Sequence, residues 1–246
     1  MALTGGGAHG HRHPVASPTA EAAWTIDAPG VPNRTIARTY DRLSWLYDHA
    51  VAPMEAPTRA RALALLDARP GESVLELGCG SGQALLALAR QVGPDGRVVG
   101  LDAAPGMVER SRRRLRQAGV DDRAAVVLGD ARRLPLDGPF DAVYTAETLE
   151  LFSRSEARDV LAEASRVLRP EGRLCVASMD RAGHEASAFV TAYEWVYRNV
   201  PGYRRLGCRP IEVVATVEDA GFVVETVETD VRWGVWPTAI VVARPG

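Results

Sequence analysis

Residues 74–82 read Val-Leu-Glu-Leu-Gly-Cys-Gly-Ser-Gly, a short apolar run that carries the acid Glu76 and then places glycine at every second position, Gly78, Gly80 and Gly82. A second apolar run, Val98 to Leu101, is followed at once by Asp102. A buried parallel strand, a glycine turn and a helix start make a cofactor cradle, and an acid at the tip of the neighbouring strand can take both hydroxyls of a ribose. The chemistry these residues suit is the holding of an adenosine-bearing cofactor. Glycine spacing narrows the choice, because a dinucleotide fingerprint wants glycine at the first, third and sixth positions and a pyrophosphate on the helix N-terminus. Here the sixth position is Gln83. Glu76 would also repel a polyphosphate, whereas it favours a ligand bearing an ammonium or sulfonium. A nicotinamide-dependent oxidoreductase is therefore excluded.

The elements that must position these residues follow a regular βαβ alternation. Ala84, Leu85, Leu86, Leu88, Ala89 and Val92 give a helix after the glycine turn, stopped by Gly93-Pro94-Asp95-Gly96. A helix over Pro105 to Ala118 follows Asp102. Val126-Val127-Leu128 reads as a third strand ending near Asp130 and Ala131, Phe140 to Tyr144 as a fourth, and Glu156 to Leu168 as the helix before a fifth. Leu134 to Pro139 is a plain loop. Beyond these come a helix from Ile211 to Ala220, a strand from Phe222 to about Thr229 and a last strand from Thr238 to Ala243, with Trp233, Gly234, Trp236 and Pro237 as the connection. Its two indoles could cover an acceptor pocket or close the core edge.

The pattern E-x-G-x-G-x-G resembles motif I of the class I S-adenosylmethionine-dependent methyltransferases. Asp102-Ala103-Ala104-Pro105-Gly106-Met107, Gly129-Asp130-Ala131 and the segment Arg166 to Gly172 resemble its later motifs, in order. The resemblance implies a Rossmann-like α/β three-layer sandwich, with a seven-stranded, mostly parallel sheet, an antiparallel last strand and N-terminal lid helices. It implies S-adenosyl-L-methionine as cofactor, held by Tyr40, Glu76, Gly78, Cys79, Gly80, Ser81, Gly82, Asp102, Ala103, Met107, Asp130, Ala131 and Ala146. In the family the acid at position 102 holds the ribose diol, Met107 packs on adenine and Asp130 meets the adenine amino group. Tyr40 to Asp48, "YDRLSWLYD", resembles the lid helix of the ubiquinone- and menaquinone-biosynthesis branch, although aromatics at that spacing also suit a core-facing helix.

The totals fit one α/β domain. The chain has 246 residues, 46% of them hydrophobic, with 29 Lys and Arg against 31 Asp and Glu for a net charge of −2. No basic face is implied, so nucleic acid is not the expected partner. Cys79, Cys175 and Cys208 sit in unrelated segments, which reads as reduced thiols and a cytoplasmic protein. Residues 1–32 are read as a mobile N-terminal tail without a signal-peptide core, and its His9, His11 and His13 as a solvated tract rather than a metal site. Residues 33–246 are read as the methyltransferase domain, with lid helices over 33–68 and a substrate cap over 180–210. No apolar run approaches a membrane span. The arginines at 110, 112, 113, 114 and 116 read as a solvated face that complements a helix dipole.

Acceptor identity should reside in the lid and the cap. Phe189, Tyr193, Trp195, Tyr197 and Tyr203 crowd the cap, so a small aromatic or apolar organic acceptor is expected, contacted by Tyr47, Tyr193, Trp195 and Arg209. Arg209 could equally pair with a surface carboxylate. Positioning alone supplies about 7 kcal/mol at best in an in-line methyl displacement. If a base is used, Glu150 and His184 are the foremost candidates, with His49, Glu147 and Tyr193 behind them. No Asp, Asn and His set for a divalent ion follows the fourth strand, so no metal is expected. A monomer or homodimer, C-, O- or N-methylation, and a non-catalytic protein that binds S-adenosylmethionine or S-adenosylhomocysteine as a regulator all stay open.

Overall fold

The computed structural model describes residues 52–185, 187–200, 209–233 and 235–246. Its elements run α1 (Ala52–Leu66), β1 (Ser73–Leu77), α2 (Gln83–Gln91), β2 (Arg97–Asp102), α3 (Pro105–Ala118), β3 (Ala124–Leu128) and β4 (Phe140–Ala146). A 3₁₀ turn over Leu149–Leu151 leads to α4 (Arg154–Val167), β5 (Leu168–Met179), α5 (Ala188–Asn199), α6 (Val213–Asp219), β6 (Phe222–Arg232) and β7 (Trp236–Pro245). The tail 1–32 and the front of the expected lid, through residue 51, lie outside the described residues.

Seven strands form one sheet in the order β3-β2-β1-β4-β5-β7-β6. β1 to β5 are parallel, while β7 is antiparallel to both β5 and β6. The expected Rossmann-like sheet with its antiparallel last strand is thus present. Both edges of the last hairpin extend further than expected. β6 reaches Arg232, and Trp236 and Pro237 belong to β7 rather than to the connection. The reason is pairing: Asp230, Val231 and Arg232 each find a partner in Thr238, Pro237 and Trp236, so the ladder continues through residues whose composition reads as a turn.

Alternating side chains divide the core between the two faces of the sheet. Val74, Val98, Tyr144 and Cys175 pack under α1, α2 and α3 with Leu63, Leu85, Leu88 and Leu115. Leu75, Leu77, Val143, Leu174 and Val176 pack under α4 and α6 with Leu161 and Val217. Each fully buried leucine contributes about 1.5–3 kcal/mol. Glu76 lies two residues from Val74 and pairs in register with Tyr144 across β1 and β4, which turns both polar side chains to the α1 and α2 face.

Local signals fix several element ends. The helix expected to begin at Glu156 begins at Arg154, because Ser153 caps it and a capping box joins Ser153 to Glu156. α6 is shorter than expected, since Ile211 bridges to Asp180 and the Val213 N–H donates to the Asp180 carboxylate at 3.2 Å. Two clasps hold α1. At its C-terminal end Arg173 of β5 donates to Glu72 at 3.0 and 2.7 Å and to the carbonyls of Leu66 and Asp67. In its second half Arg61 pairs with Glu228, and near its start the Met54 carbonyl accepts from Arg232, both partners belonging to β6.

Candidate functional site

In a parallel sheet the carboxyl ends of the strands share one edge, and here that edge carries Glu76, Asp102, Ala146 and Met179. The glycine loop after β1 is bound down by backbone and side chain together. The N–H groups of Gly78 and Cys79 both donate to the Leu101 carbonyl, at 2.8 and 3.0 Å. Asp102 accepts from the Gly80 N–H through Oδ2 and from the Ala104 N–H through Oδ1, each at 2.8 Å. Arg114 of α3 donates to the Ser81 carbonyl at 2.8 Å. Arg112 donates to the Val126 carbonyl at the same distance, so two of the five arginines expected on a solvated face instead tie the loop and a strand to α3.

Glycine is required at two of these positions by close approach. A Cβ on Gly78 would meet Thr148 Oγ1 at 2.2 Å, and one on Gly82 would meet Ser111 Oγ at 2.2 Å, and both residues have positive φ. Beside Gly80 nothing lies within 4 Å of the same construction. That open space belongs to a cleft lined by Glu76, Gly78, Cys79, Gly80, Ser81, Gln83 and Ala84 on one side. Tyr144, Ala146 and Glu147 of the β4 end, with Glu55, Thr58 and Arg59 of α1, line the other.

Two buried polar atoms face this cleft without a hydrogen-bond partner among the described residues: Glu76 Oε2 and the Tyr144 hydroxyl. Glu76 is 4% exposed and Tyr144 fully buried. Burial pushes the Glu76 carboxyl well above the usual carboxylate range, Arg59 opposing and Asp102 reinforcing the rise. Burial likewise raises the Tyr144 phenol, with Glu76 adding to it. An orphaned acid and an orphaned hydroxyl side by side in an open cleft are polar groups arranged for a ligand.

Of the residues expected at the cofactor, Glu76, Gly78, Cys79, Gly80, Ser81 and Ala146 line the cleft. Gly82 and Asp102 shape the loop from behind. Met107 and Ala131 are buried, Ala103 half-buried. Asp130 is bound by Arg132, whose guanidinium donates to both carboxylate oxygens and also pairs with Glu156. Tyr40, Tyr47, His49, Tyr203 and Cys208 lie outside the described residues. Cys79 and Cys175 are buried free thiols.

Around the cap, Phe189, Tyr193 and Trp236 form a cluster with ring centroids 5.2, 5.8 and 6.1 Å apart. Trp195 is 62% exposed. Arg209 donates to the Phe152 carbonyl at 2.8 Å. His184, half-buried in the loop after β5, and Glu150 are absent from the cleft lining. Glu150 is buried, with Oε2 accepting from the Ser178 hydroxyl at 2.8 Å and the Met179 N–H at 3.1 Å. Reading the sequence missed Tyr144, Arg59, Thr58 and Glu55. For Tyr144 a signal existed, since it stands at the strand position that register places beside Glu76. Among the described residues no three His, Cys, Asp or Glu side chains cluster as a metal site would need, and no helix is long and apolar enough to cross a membrane.

Residues 74–172 match the family model for the methyltransferase domain. The nocamycin O-methyltransferase of Saccharothrix syringae is 38% identical over 136 residues, 55% of this chain and 48% of the relative. The demethylmenaquinone methyltransferase of Symbiobacterium thermophilum is 39% identical over 106 residues, 43% of this chain and 41% of the relative. The chain thus spans about half the length of these curated relatives, or less. Among solved structures, the cyclase SpnF superposes with a TM-score of 0.70 at 17% identity, over 88% of this chain and 98% of that one. The geranyl diphosphate C-methyltransferase of Streptomyces coelicolor A3(2), solved with S-adenosyl-L-homocysteine, gives 0.67 at 15% identity, over 89% and 100%. The glycine cradle lies within residues 74–172, the stretch that matches the methyltransferase-domain model, and the fold is one that these solved structures share.

Proposed function

We propose that the protein transfers the methyl group of S-adenosyl-L-methionine to a small organic acceptor with substantial apolar or aromatic character. The observation that carries this is the pair of orphaned polar atoms, Glu76 Oε2 and the Tyr144 hydroxyl, facing open space beside Gly80. A carboxyl in that position gains a counter-charge from a ligand bearing a cationic ammonium or sulfonium, and a polyphosphate would meet repulsion instead. The bound cofactor supplies an electrophilic sulfonium methyl. The chain supplies placement: Asp102 and the loop amides hold the nucleoside end, with Met107 and Asp130 toward adenine, and Glu76 and Tyr144 hold the polar end. Asp130 can reach an adenine amino group only by sharing its carboxylate with Arg132.

The ring cluster of Phe189, Tyr193 and Trp236 stands at the same carboxyl edge, because α5 follows the end of β5 and β7 begins there antiparallel to it. We assign it to the acceptor side, where flat apolar walls orient an aromatic or polyketide-like molecule. Two of the relatives, a nocamycin O-methyltransferase and a demethylmenaquinone methyltransferase, support acceptors of that size. A cytoplasmic enzyme working as a monomer or homodimer without nucleic acid is the accompanying reading.

Titration calorimetry with S-adenosyl-L-methionine and its demethylated product tests the cofactor half. Binding of both, lost or sharply weakened in Glu76→Gln with Tyr144→Phe, is the expected result; equal affinity in that double variant removes the two groups from the site. Mass spectrometry for a +14 Da product in acceptor mixtures tests the transfer, and tight binding with no product in any mixture favours the regulatory alternative.

A further inference from the structure

The end of β4 carries a second acidic feature that cofactor binding does not use. Glu147 lines the cleft, holds φ at +50°, and is fixed there by its N–H, which donates to the Ala177 carbonyl at 2.9 Å. A left-handed backbone at a non-glycine residue is costly and persists where the surroundings demand it. Three residues on, in the middle of the 3₁₀ turn, stands Glu150, the neighbouring acid whose charge acts most strongly on Glu147. Two neighbouring carboxyl groups held out of water do not both ionise readily, so one of them carries the proton. The Ser178 hydroxyl and the Met179 N–H both donate to Glu150 Oε2, and two donors on a buried carboxyl stabilise its ionised form. The charge therefore resides on Glu150 and the proton on Glu147, the member that faces the cleft.

We propose that Glu147 and Glu150 form a proton-accepting carboxyl pair that deprotonates the methyl acceptor, and that the acceptor presents an acidic hydroxyl, a phenol or an enol, rather than an amine. This rests on the methyl-transfer reading given above. The acceptor O–H bond breaks as its proton moves to the free oxygen of Glu147, while the proton already on Glu147 passes to Glu150. The oxygen's electron pair forms the new O–CH₃ bond, and the electron pair of the broken C–S bond of the sulfonium donor stays on sulfur. The pair, which began with one negative charge, ends neutral and returns one proton to water. Amines lack the need for such a pair, since a neutral amine attacks with a lone pair it already has.

The surroundings suit a pair that holds one proton at neutral pH. Burial raises Glu147 well above the usual carboxylate range, and the nearby acids Glu150 and Glu55 of α1 raise it further, against the pull of Arg232 of β6. Tyr144, the remaining titratable neighbour on β4, is itself raised and neutral. A sulfonium bound in the cleft opposes the two acids and brings the proton affinity of the pair down toward the range in which a general base works best.

The test uses the full chain with S-adenosylhomocysteine bound. Infrared difference spectra between the wild type and Glu147→Gln are expected to show one protonated carboxyl at neutral pH, with its titration midpoint lowered in Glu150→Gln. With naphthalene-1,4-diol as the hydroxyl probe and 1-naphthylamine as its amine counterpart, labelled methyl is expected on the diol alone. Glu147→Gln should lower kcat about 100-fold or more, as loss of a general base does, with S-adenosylhomocysteine affinity within twofold of wild type. A missing carboxyl band, a Glu147→Gln variant retaining more than a tenth of wild-type kcat, or transfer to the amine in preference to the diol overturns the proposal. So does absence of transfer to the diol by protein that binds S-adenosylhomocysteine, which leaves the cofactor reading standing; failure of the wild type to bind it strikes that underlying reading instead.

Discussion

Gly80 donates its backbone N–H to Asp102 Oδ2 at 2.8 Å, so the acid at the tip of β2 builds the glycine loop. Its other oxygen holds Ala104 at the start of α3. Asp102→Ala removes two charge-assisted bonds, each worth about 1.5–3 kcal/mol. We expect denaturant titration to show a loss of about 3 kcal/mol or more, and amide exchange at Gly80 and Ala104 to accelerate together with a collapse in S-adenosylmethionine affinity. Unchanged exchange at both amides would show that the loop does not depend on this carboxylate.

Glu76 should make the ligand-free protein less stable as pH rises. Its folded-state proton affinity is raised by burial, so between the ordinary carboxylate pKa, about 4.3, and the raised value the folded state binds the proton and the unfolded state has lost it. Stability then falls with pH across that window. Glu76→Gln should flatten this decline and raise the melting temperature of the free protein at neutral pH, while weakening S-adenosylmethionine. Thermal scans across pH 4–8, with and without ligand, read both effects; a variant less stable than wild type at neutral pH contradicts the assignment.

Gly78→Ala places a methyl 2.2 Å from Thr148 Oγ1 and 2.7 Å from its Cγ2, at a φ of +72°. Overpacking of this kind costs about 1–3 kcal/mol, and the left-handed backbone adds about 1 kcal/mol. Thr148→Ala in the same chain should recover the steric part and leave the backbone part. A double-mutant cycle by urea unfolding measures the coupling, expected above 0.5 kcal/mol; strict additivity would mean that the two residues do not meet.

Arg173 and Glu72 predict an acid-sensitive anchor for α1. Burial raises the Glu72 carboxyl, but the hydrogen bonds from Arg173 and from the Arg69 N–H outweigh it and leave the group lowered. A lowered carboxylate contributes stability that is present above its unfolded value, about 4.3, and is lost as pH falls through the folded one. Arg173→Met should cost about 2–3 kcal/mol at pH 7 and make the remaining stability less steep in acid. Calorimetric unfolding at pH 7 and pH 3.5 gives both numbers, and equal acid slopes in the two proteins would count against the ion pair.

Where the sequence was legible, a single local rule sufficed. Gly78 to Gly82 after an apolar run could be read because turn chemistry is written in consecutive residues, and the succession of strands and covering helices followed from the βαβ alternation. What escaped reading depends on pairs distant along the chain. Tyr144 matters because register sets it beside Glu76, and Arg59 because α1 lies over that strand pair. Glu150 was the favoured base on position alone; three-dimensional contacts bury it against Ser178 and leave Glu147 at the cleft. The arginines of α3 show the same limit, since nothing near Arg114 in sequence announces the Ser81 carbonyl.

The attachment of α1 to the far hairpin reaches into how the chain is made. Glu55, Thr58 and Arg59 sit on a helix that precedes the whole sheet, yet Glu228 and Arg232, which fasten it, come 167 and 178 residues after their partners Arg61 and Met54. A nascent polypeptide released before its final strands would carry the whole glycine turn and still lack one wall of the cleft. Competence to retain a ligand in that cleft should accordingly wait until the closing hairpin has left the exit tunnel.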